Sequence, residues 1–324
     1  MTFQHERTAA VISRRELMAG GASACALAAG LAGARPAPAR DVPVASSSSF
    51  ILGLNTSTIR GQKLSIVQEI EIAAKAGFQG MEPWIDELRR YADAGGSLAD
   101  LGKRFRDAGV HVESAIDFFE WAVDDEPRRK KALDAARKSM EILLKIGGKR
   151  LAAPPVGVTN QAVEPLRLAE RYRALLELGD QLGIVPQAEI WGFSRSLGRL
   201  GEAAQVAIET GHPSACILPD VFHLFKGGSP LEGIRLLSPA AIHVFHLNDY
   251  RARPAREKQT DADRVFPGDG VAPYKTILRD LRIGGFHVML SLELFNRAYW
   301  RQDPLTVAKQ GFEKMKALVR AIET

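Results

Sequence analysis

The 324-residue sequence predicts an α/β protein, a (β/α)8 TIM barrel over residues 50–324, on three observations. Short β-rich runs alternate with longer amphipathic stretches eight times, without a break in composition. Glycines punctuate the joints where a helix must hand over to a strand. The stretch is about 275 residues long, the size that eight such units need.

The elements follow in order. β-rich runs occupy residues 50–57, 78–84, 110–116, 149–155, 184–191, 215–223, 241–249 and 287–295. Helical periodicity marks residues 64–76, 128–146, 164–182 and 304–322 between or after them. Gly77, Gly109, Gly147, Gly183, Gly211 and Gly285 stand where a left-handed cap residue is favoured. A doubly wound open sheet would carry a Gly-rich phosphate loop after its first strand. Asn55-Thr56-Ser57-Thr58 stands there instead.

Ahead of the first strand, Ser13-Arg14-Arg15-Glu16-Leu17-Met18 precedes a weakly apolar Ala/Gly-rich run over residues 19–34. Ala37-Pro38-Ala39 supplies the small residues of a cleavage site. Residues 1–39 therefore resemble a twin-arginine signal peptide, with residues 40–49 as a linker. That resemblance implies passage through the twin-arginine export machinery, a periplasmic mature protein and no stable membrane anchor after cleavage. The run is too short and Gly-rich for a membrane-spanning helix.

Composition narrows the class of function. Hydrophobic residues make up 46% and charged residues 25%, which excludes a disordered, collagenous or polytopic membrane chain. Lys+Arg number 43 against 38 Asp+Glu, and residues 1–39 hold four Arg and two Glu, leaving the remainder near +3. Bulk charge therefore gives no support to nucleic-acid binding. Cys25 and Cys216 are the only cysteines, so neither a disulfide framework nor a Cys-rich zinc site is available.

Strand parity says which side chains enter the barrel. In the eighth run Val288, Leu290, Leu292 and Leu294 form an aliphatic set suited to the helices, which turns Met289, Ser291 and Glu293 into the lumen. The same count directs Gln187 and Glu189 inward in the fifth run, Leu218 and Asp220 in the sixth, and Val244, His246 and Asn248 in the seventh. His243 falls on the helix side and reads as structural. Four consecutive strands each bring one hard-metal ligand to the C-terminal rim, where barrel enzymes keep their chemistry. Three carboxylates and one imidazole would repel one another there without a counter-charge. Either lumen arginines or lysines supply it, or one divalent cation does. The three-oxygen, one-nitrogen set, with no thiolate, favours Mn²⁺, Mg²⁺ or Co²⁺ ahead of structural Zn²⁺.

These residues also carry a resemblance. Ala188-Glu189, Asp220-Val221-Phe222-His223, His246-Leu247-Asn248-Asp249, Pro267-Gly268-Asp269-Gly270 and Ser291-Leu292-Glu293-Leu294-Phe295 are similar, in order, to the xylose isomerase-like sugar phosphate isomerase/epimerase family. The resemblance implies that Glu189, Asp220, His246 and Glu293 bind one metal ion, and that His223 and Arg264 bind substrate. It implies catalysis by Glu189 and Glu293 on a small-molecule carbohydrate. Gly80-Met81-Glu82 also resembles the family, without a role for its glutamate.

The chemistry expected of such a rim is proton transfer next to a carbonyl, through an enediolate, by two carboxyl groups flanking the substrate. Proton return to the opposite face of one carbon gives epimerisation; return to the neighbouring carbon gives aldose–ketose isomerisation. Export favours a free sugar, keto-sugar, glycoside or cyclitol over a phosphosugar. Alternatives remain: a metal-dependent lyase or hydrolase, a sugar-binding protein, or a nuclease resembling endonuclease IV. The nuclease requires three zinc ions and a histidine where Val265 stands. Trp84 and Trp191 are candidate aromatic walls, Phe118-Phe119-Glu120-Trp121 a candidate apolar lid, and Lys226-Gly227-Gly228 a turn or an anion cradle. The polar insertion 251–263 is expected to shape specificity or an interface. A homo-oligomer is compatible with all of this.

Overall fold

A computed structural model describes residues 50–323; the leader and linker read from residues 1–49 lie outside the described residues. The strands are β1 (Phe50–Asn55), β2 (Gly80–Glu82), β3 (His111–Val112), β4 (Arg150–Ala153), β5 (Val185–Glu189), β6 (Ile217–Leu218), β7 (Val244–Leu247) and β8 (Val288–Leu292). Around them run α1 (Ile66–Ala76), α2 (Ile85–Asp93), α3 (Leu98–Asp107), α4 (Glu126–Lys145), α5 (Pro165–Leu182), α6 (Leu200–Glu209), α7 (Val221–Gly227), α8 (Tyr274–Ile283) and α9 (Pro304–Arg320). All strand pairing is parallel, β3-β2-β1-β8-β7 in one arc and β4-β5-β6 in the other. Parallel bridges at Ala115–Leu151 and Asp220–His246 join the two arcs into the expected eight-stranded ring.

Local sequence accounts for the helix ends. Ser65 and Gln68 form a reciprocal capping box that starts α1, and Gly77 at φ 101° ends it. Asp125, Glu164 and Asp303 each accept a backbone N–H at the start of α4, α5 and α9, with Pro in the first turn of each.

Two differences from the sequence reading concern length. β3 and β6 are two residues long, because the chain leaves the ladder early to build the rim loops. His223, placed at the end of the sixth run by pattern alone, sits in α7, which Asp220 caps by accepting the His223 N–H at 2.7 Å.

Parity holds in the interior. Ile116, Ala152, Leu218, Val244 and Met289 pack as a small lumen cluster, while Leu290 and Leu292 join the larger core beneath the helices. Met289 lies across the lumen so closely that a Cβ on Gly53 or Gly80 would meet its sulfur at 2.6 or 2.5 Å. This plug closes the barrel below the rim.

Among the buried carboxyls outside the rim cluster is Glu69. Glu69 on α1 is 2% exposed, and its Oε2 has no hydrogen-bond partner. Burial, with Glu87 adding and Arg60 and Arg90 opposing, pushes it up to about 9 from 4.5. Between those values the folded chain keeps a proton that the unfolded chain releases, so stability falls as pH rises through that window. Glu69→Gln should therefore raise the thermal midpoint by about 2 °C or more at pH 8.5 and much less at pH 5. Equal gains at both pH values would contradict this.

Candidate active site

The strand ends deliver the side chains that parity assigned to them. Glu189 is the last residue of β5, Asp220 the N-cap of α7, His246 lies in β7, and Glu293 follows β8. Ladder partners fix the heights: Asp220 pairs with His246, and His246 with Ser291. Ligand atoms of Asp220, His246 and Glu293 all lie within 4.8 Å of one another, and all three residues are buried. The Glu189 carboxyl stands outside that tight group but close enough for its charge to be felt by it.

Arg264 enters the same space. Its Nη1 donates to Asp220 Oδ2 and Glu293 Oε2, both at 2.8 Å, and its Nη2 donates to Asp261 Oδ1 at 2.6 Å and lies 3.0 Å from His223 Nε2. The guanidinium is 1% exposed and lies 5.0 and 5.2 Å from the ring centroids of Phe222 and Phe295. Thus the residue expected to bind substrate also pairs with two of the expected ligands, giving Asp220 and Glu293 the lumen arginine partner that was the alternative to a cation.

The donor set nevertheless fits a divalent cation. Glu189 Oε2 and His246 Nδ1 are buried donor atoms without a hydrogen-bond partner. His246 Nδ1 lies 3.2 Å from Glu293 Oε2 and 3.8 Å from Asp220 Oδ2, so it faces the carboxylates rather than the protein matrix. With Glu82 and Asp261 nearby, five carboxyl groups gather around one guanidinium and two imidazoles. Even with Glu189 kept protonated by burial, Asp220, Glu82, Glu293 and the half-exposed Asp261 outnumber Arg264 and His246, and further positive charge would stabilise them.

Electrostatics separates the two carboxyls assigned to catalysis. Burial raises Glu189 to about 8, with Glu293 and Asp220 adding to the effect and His246 opposing it. Burial also works against ionising Glu293, but His246 and Arg264 outweigh it and hold that carboxyl below the ordinary range. His223 is held down at about 4, chiefly by burial, and is a neutral ring.

The role of Glu82, undefined from sequence, is clear from its partners. Its Oε2 lies 2.9 Å from His246 Nε2 and accepts from Asn55 Nδ2 at 2.9 Å and Ser291 Oγ at 2.8 Å. Asn55 also donates to Glu293 Oε1 at 3.2 Å. Against the opposing effect of burial, Glu293 and Glu82 hold the His246 imidazole well above its ordinary range, and the carboxylate on the far nitrogen fixes the ring's orientation, so a cation at Nδ1 would take the place of the proton there. Glu82 therefore positions His246 directly and Glu293 through Asn55.

The motif elements around residues 246–249 and 267–270 have a structural explanation. Asp249 Oδ1 accepts the N–H groups of Tyr250 and Ala272, and Oδ2 those of Gly268 and Gly270, at 2.8–3.0 Å. A Cβ on Gly270 would meet Asp249 Oδ1 at 2.2 Å, so only glycine fits. Asp249 and Val265 also pair as an antiparallel bridge, which sets the chain just after Arg264.

Above the floor opens a cleft of about 370 Å³ lined by Glu189, His223, Arg264 and Glu293 and by Trp84, Phe118, Trp191, Phe193 and Phe295. Of the sequence-predicted lid only Phe118 reaches it. Phe119 and Trp121 are core residues, the indole N–H bonding the Ala153 and Pro154 carbonyls, and Glu120 pairs with Arg128. Lys226-Gly227-Gly228 is the end of α7, a turn rather than an anion cradle: Gly228 caps the helix at φ 70° with its N–H on the Leu224 and Phe225 carbonyls, and the Lys226 ammonium donates to the carbonyls of Arg256, Glu257 and Gln259.

Comparison with known proteins agrees with this architecture. The model of the xylose isomerase-like TIM barrel family matches residues 70–318, and the chain belongs to that family. It is 26% identical over 263 residues to an inosose isomerase of Bacillus velezensis, covering 79% of this chain and 92% of the relative. The fold superposes with a TM-score of 0.78 and 21% identity on the IOLI protein, solved with a bound zinc atom, over 84% of this chain and 99% of that one. An L-ribulose 3-epimerase superposes with a TM-score of 0.70 and 18% identity over 85% and 96% of the two chains.

Proposed function

We propose that this chain is a divalent-metal-dependent isomerase or epimerase that moves a proton on a carbon beside the carbonyl of a sugar or polyol ketone. The observation that carries the reading is that two buried carboxyl groups of opposed acidity, Glu189 from β5 and Glu293 from β8, line one cleft. Environments that push two carboxyls apart are those in which one serves as acid and the other as base. The likeness to an inosose isomerase and an L-ribulose 3-epimerase supports a ketone of this kind as substrate.

Glu189, Asp220, His246 and Glu293 would together hold the cation; their hard oxygen and nitrogen atoms suit Mn²⁺, Mg²⁺, Co²⁺ or Zn²⁺. Once bound, it would supply Lewis-acid polarisation of the substrate carbonyl and its neighbouring hydroxyl. Glu293, the anionic carboxyl, takes the proton from the carbon beside the carbonyl. Glu189, the carboxyl that burial makes the more readily protonated, returns a proton to the opposite face for an epimer; for an isomer, Glu293 carries its own proton to the next carbon. His223 meets a substrate hydroxyl as a neutral ring whose Nδ1 is unpartnered, and Arg264 offers its guanidinium to a substrate oxygen.

Solvent exchange tests the reading. Metal-loaded protein in deuterated water should place deuterium on the carbon beside the carbonyl of inosose or L-ribulose, as read by NMR. Failure to exchange any hydrogen in either ketone, and in phenyl 3-keto-β-D-glucopyranoside as well, would sink the proposal. Glu82→Gln should weaken metal binding by about 10- to 100-fold in a chelator competition, with partial recovery in Glu82→Asp. Unchanged affinity would remove Glu82 from the support of His246.

A further inference from the structure

We propose that the outer part of this cleft is a subsite for a planar apolar ring, so that the substrate is a keto-glycoside carrying an aromatic aglycone rather than a free monosaccharide. The inference rests on the isomerase/epimerase reading only for the sugar end of the ligand.

The aromatic side chains form a continuous arc. Ring centroids are 5.0 Å apart from Trp84 to Phe118, 6.1 Å from Phe118 to Trp191 and 5.3 Å from Trp191 to Phe193. Phe295 closes the arc beside Trp84 at 6.1 Å, and Phe193 reaches His223 at 5.4 Å. The chain brings these rings from separate loops, after β2, β3, β5 and β8, to one cleft.

The polar edges of the indoles are already spent. Trp84 Nε1 donates to Asn55 Oδ1 at 3.1 Å, and Trp191 Nε1 to Glu189 Oε1 at 2.9 Å. Each ring is thereby held at its polar end by the floor of the site, and what it offers the cleft is apolar. A tryptophan tied in this way is a rigid stacking surface that costs little to order.

Phe118 and Phe193 extend the surface beyond what a sugar ring needs. They are 43% and 44% exposed, whereas Phe119 and Trp121 of the same loop as Phe118 are buried. Two phenyl rings left half in water on independent loops, on either side of Trp191, make an apolar surface that a polyol's hydroxyls cannot cover. The cleft's volume of about 370 Å³ lies within the ~300–1,000 Å³ range of sites that take drug-sized ligands, with room beyond a six-carbon polyol. Hydroxyls belong on the floor with His223, Arg264 and Glu293; a second, flat ring belongs on the arc.

The test uses unreactive probes and calorimetry. Metal-loaded enzyme should bind phenyl β-D-glucopyranoside about tenfold more tightly than methyl β-D-glucopyranoside. A Phe118→Ala/Phe193→Ala double variant should lose that difference while keeping its circular dichroism spectrum. Equal affinities in the natural enzyme, no binding of the phenyl glycoside, or a preference that survives in the double variant would each overturn the subsite. Phenyl preference in an enzyme that fails the deuterium-exchange test would instead reject the isomerase/epimerase reading and leave the ring subsite standing.

Discussion

Glu293→Gln should lower the rate of deuterium exchange by about 10³-fold or more, with no loss of the folded state. The substitution removes a proton acceptor, worth about 10²–10⁴ by itself, and one anionic donor to the cation. It keeps the side chain's size and its contact with Asn55, which lies 3.2 Å away. Arg264 retains Asp220 and Asp261 as partners, so the guanidinium is not stranded. The thermal midpoint is therefore expected to stay within a few degrees of the natural protein's. A variant with near-normal exchange would take Glu293 out of the chemistry, and one that fails to fold would show that its charge serves the barrel first.

Exhaustive chelation should have a comparable effect on turnover and a small one on fold. With the metal removed, turnover should fall by at least about 10²-fold, and one equivalent of Mn²⁺, Co²⁺ or Zn²⁺ per chain should restore it. The stripped protein should stay folded because Arg264 already neutralises Asp220 and Glu293 at 2.8 Å each. Adding cation should then raise the thermal midpoint in a concentration-dependent way, since a ligand that binds only the native state stabilises it. Full activity after chelation, or three ions per chain by metal analysis, would contradict the single-cation site.

Much of this was legible in the sequence because a barrel strand has a strict period of two and a purely aliphatic face. Val288, Leu290, Leu292 and Leu294 alone oriented β8, and Glu293 followed. What pattern could not supply was pairing across the ring. Glu82 and His246 are 164 positions apart, and nothing near Glu82 announces an imidazole. Asn55 read only as the lack of a glycine loop, yet it ties Glu82, Glu293 and Trp84 together. Among the bulky residues 118–121 no period distinguishes the one facing the cleft from those in the core, because loop side chains follow no repeat. The resemblance implied a substrate role for Arg264, but its salt bridges to Asp220 and Glu293 depend on a loop whose path only coordinates give.

That loop has a consequence for how such an enzyme changes. Asp249 clamps both ends of the excursion that runs from Tyr250 to Arg264, through the bridge to Val265 and four amide contacts. Within it, Asp261 accepts from Arg264 at 2.6 Å and Lys226 ties the carbonyls of Arg256, Glu257 and Gln259 to α7, so a replacement stretch that keeps Asp261 and those carbonyls should return the guanidinium to the same spot. Grafting such a stretch between relatives should therefore change what the cleft accepts while the strand-end carboxyls stay where they are.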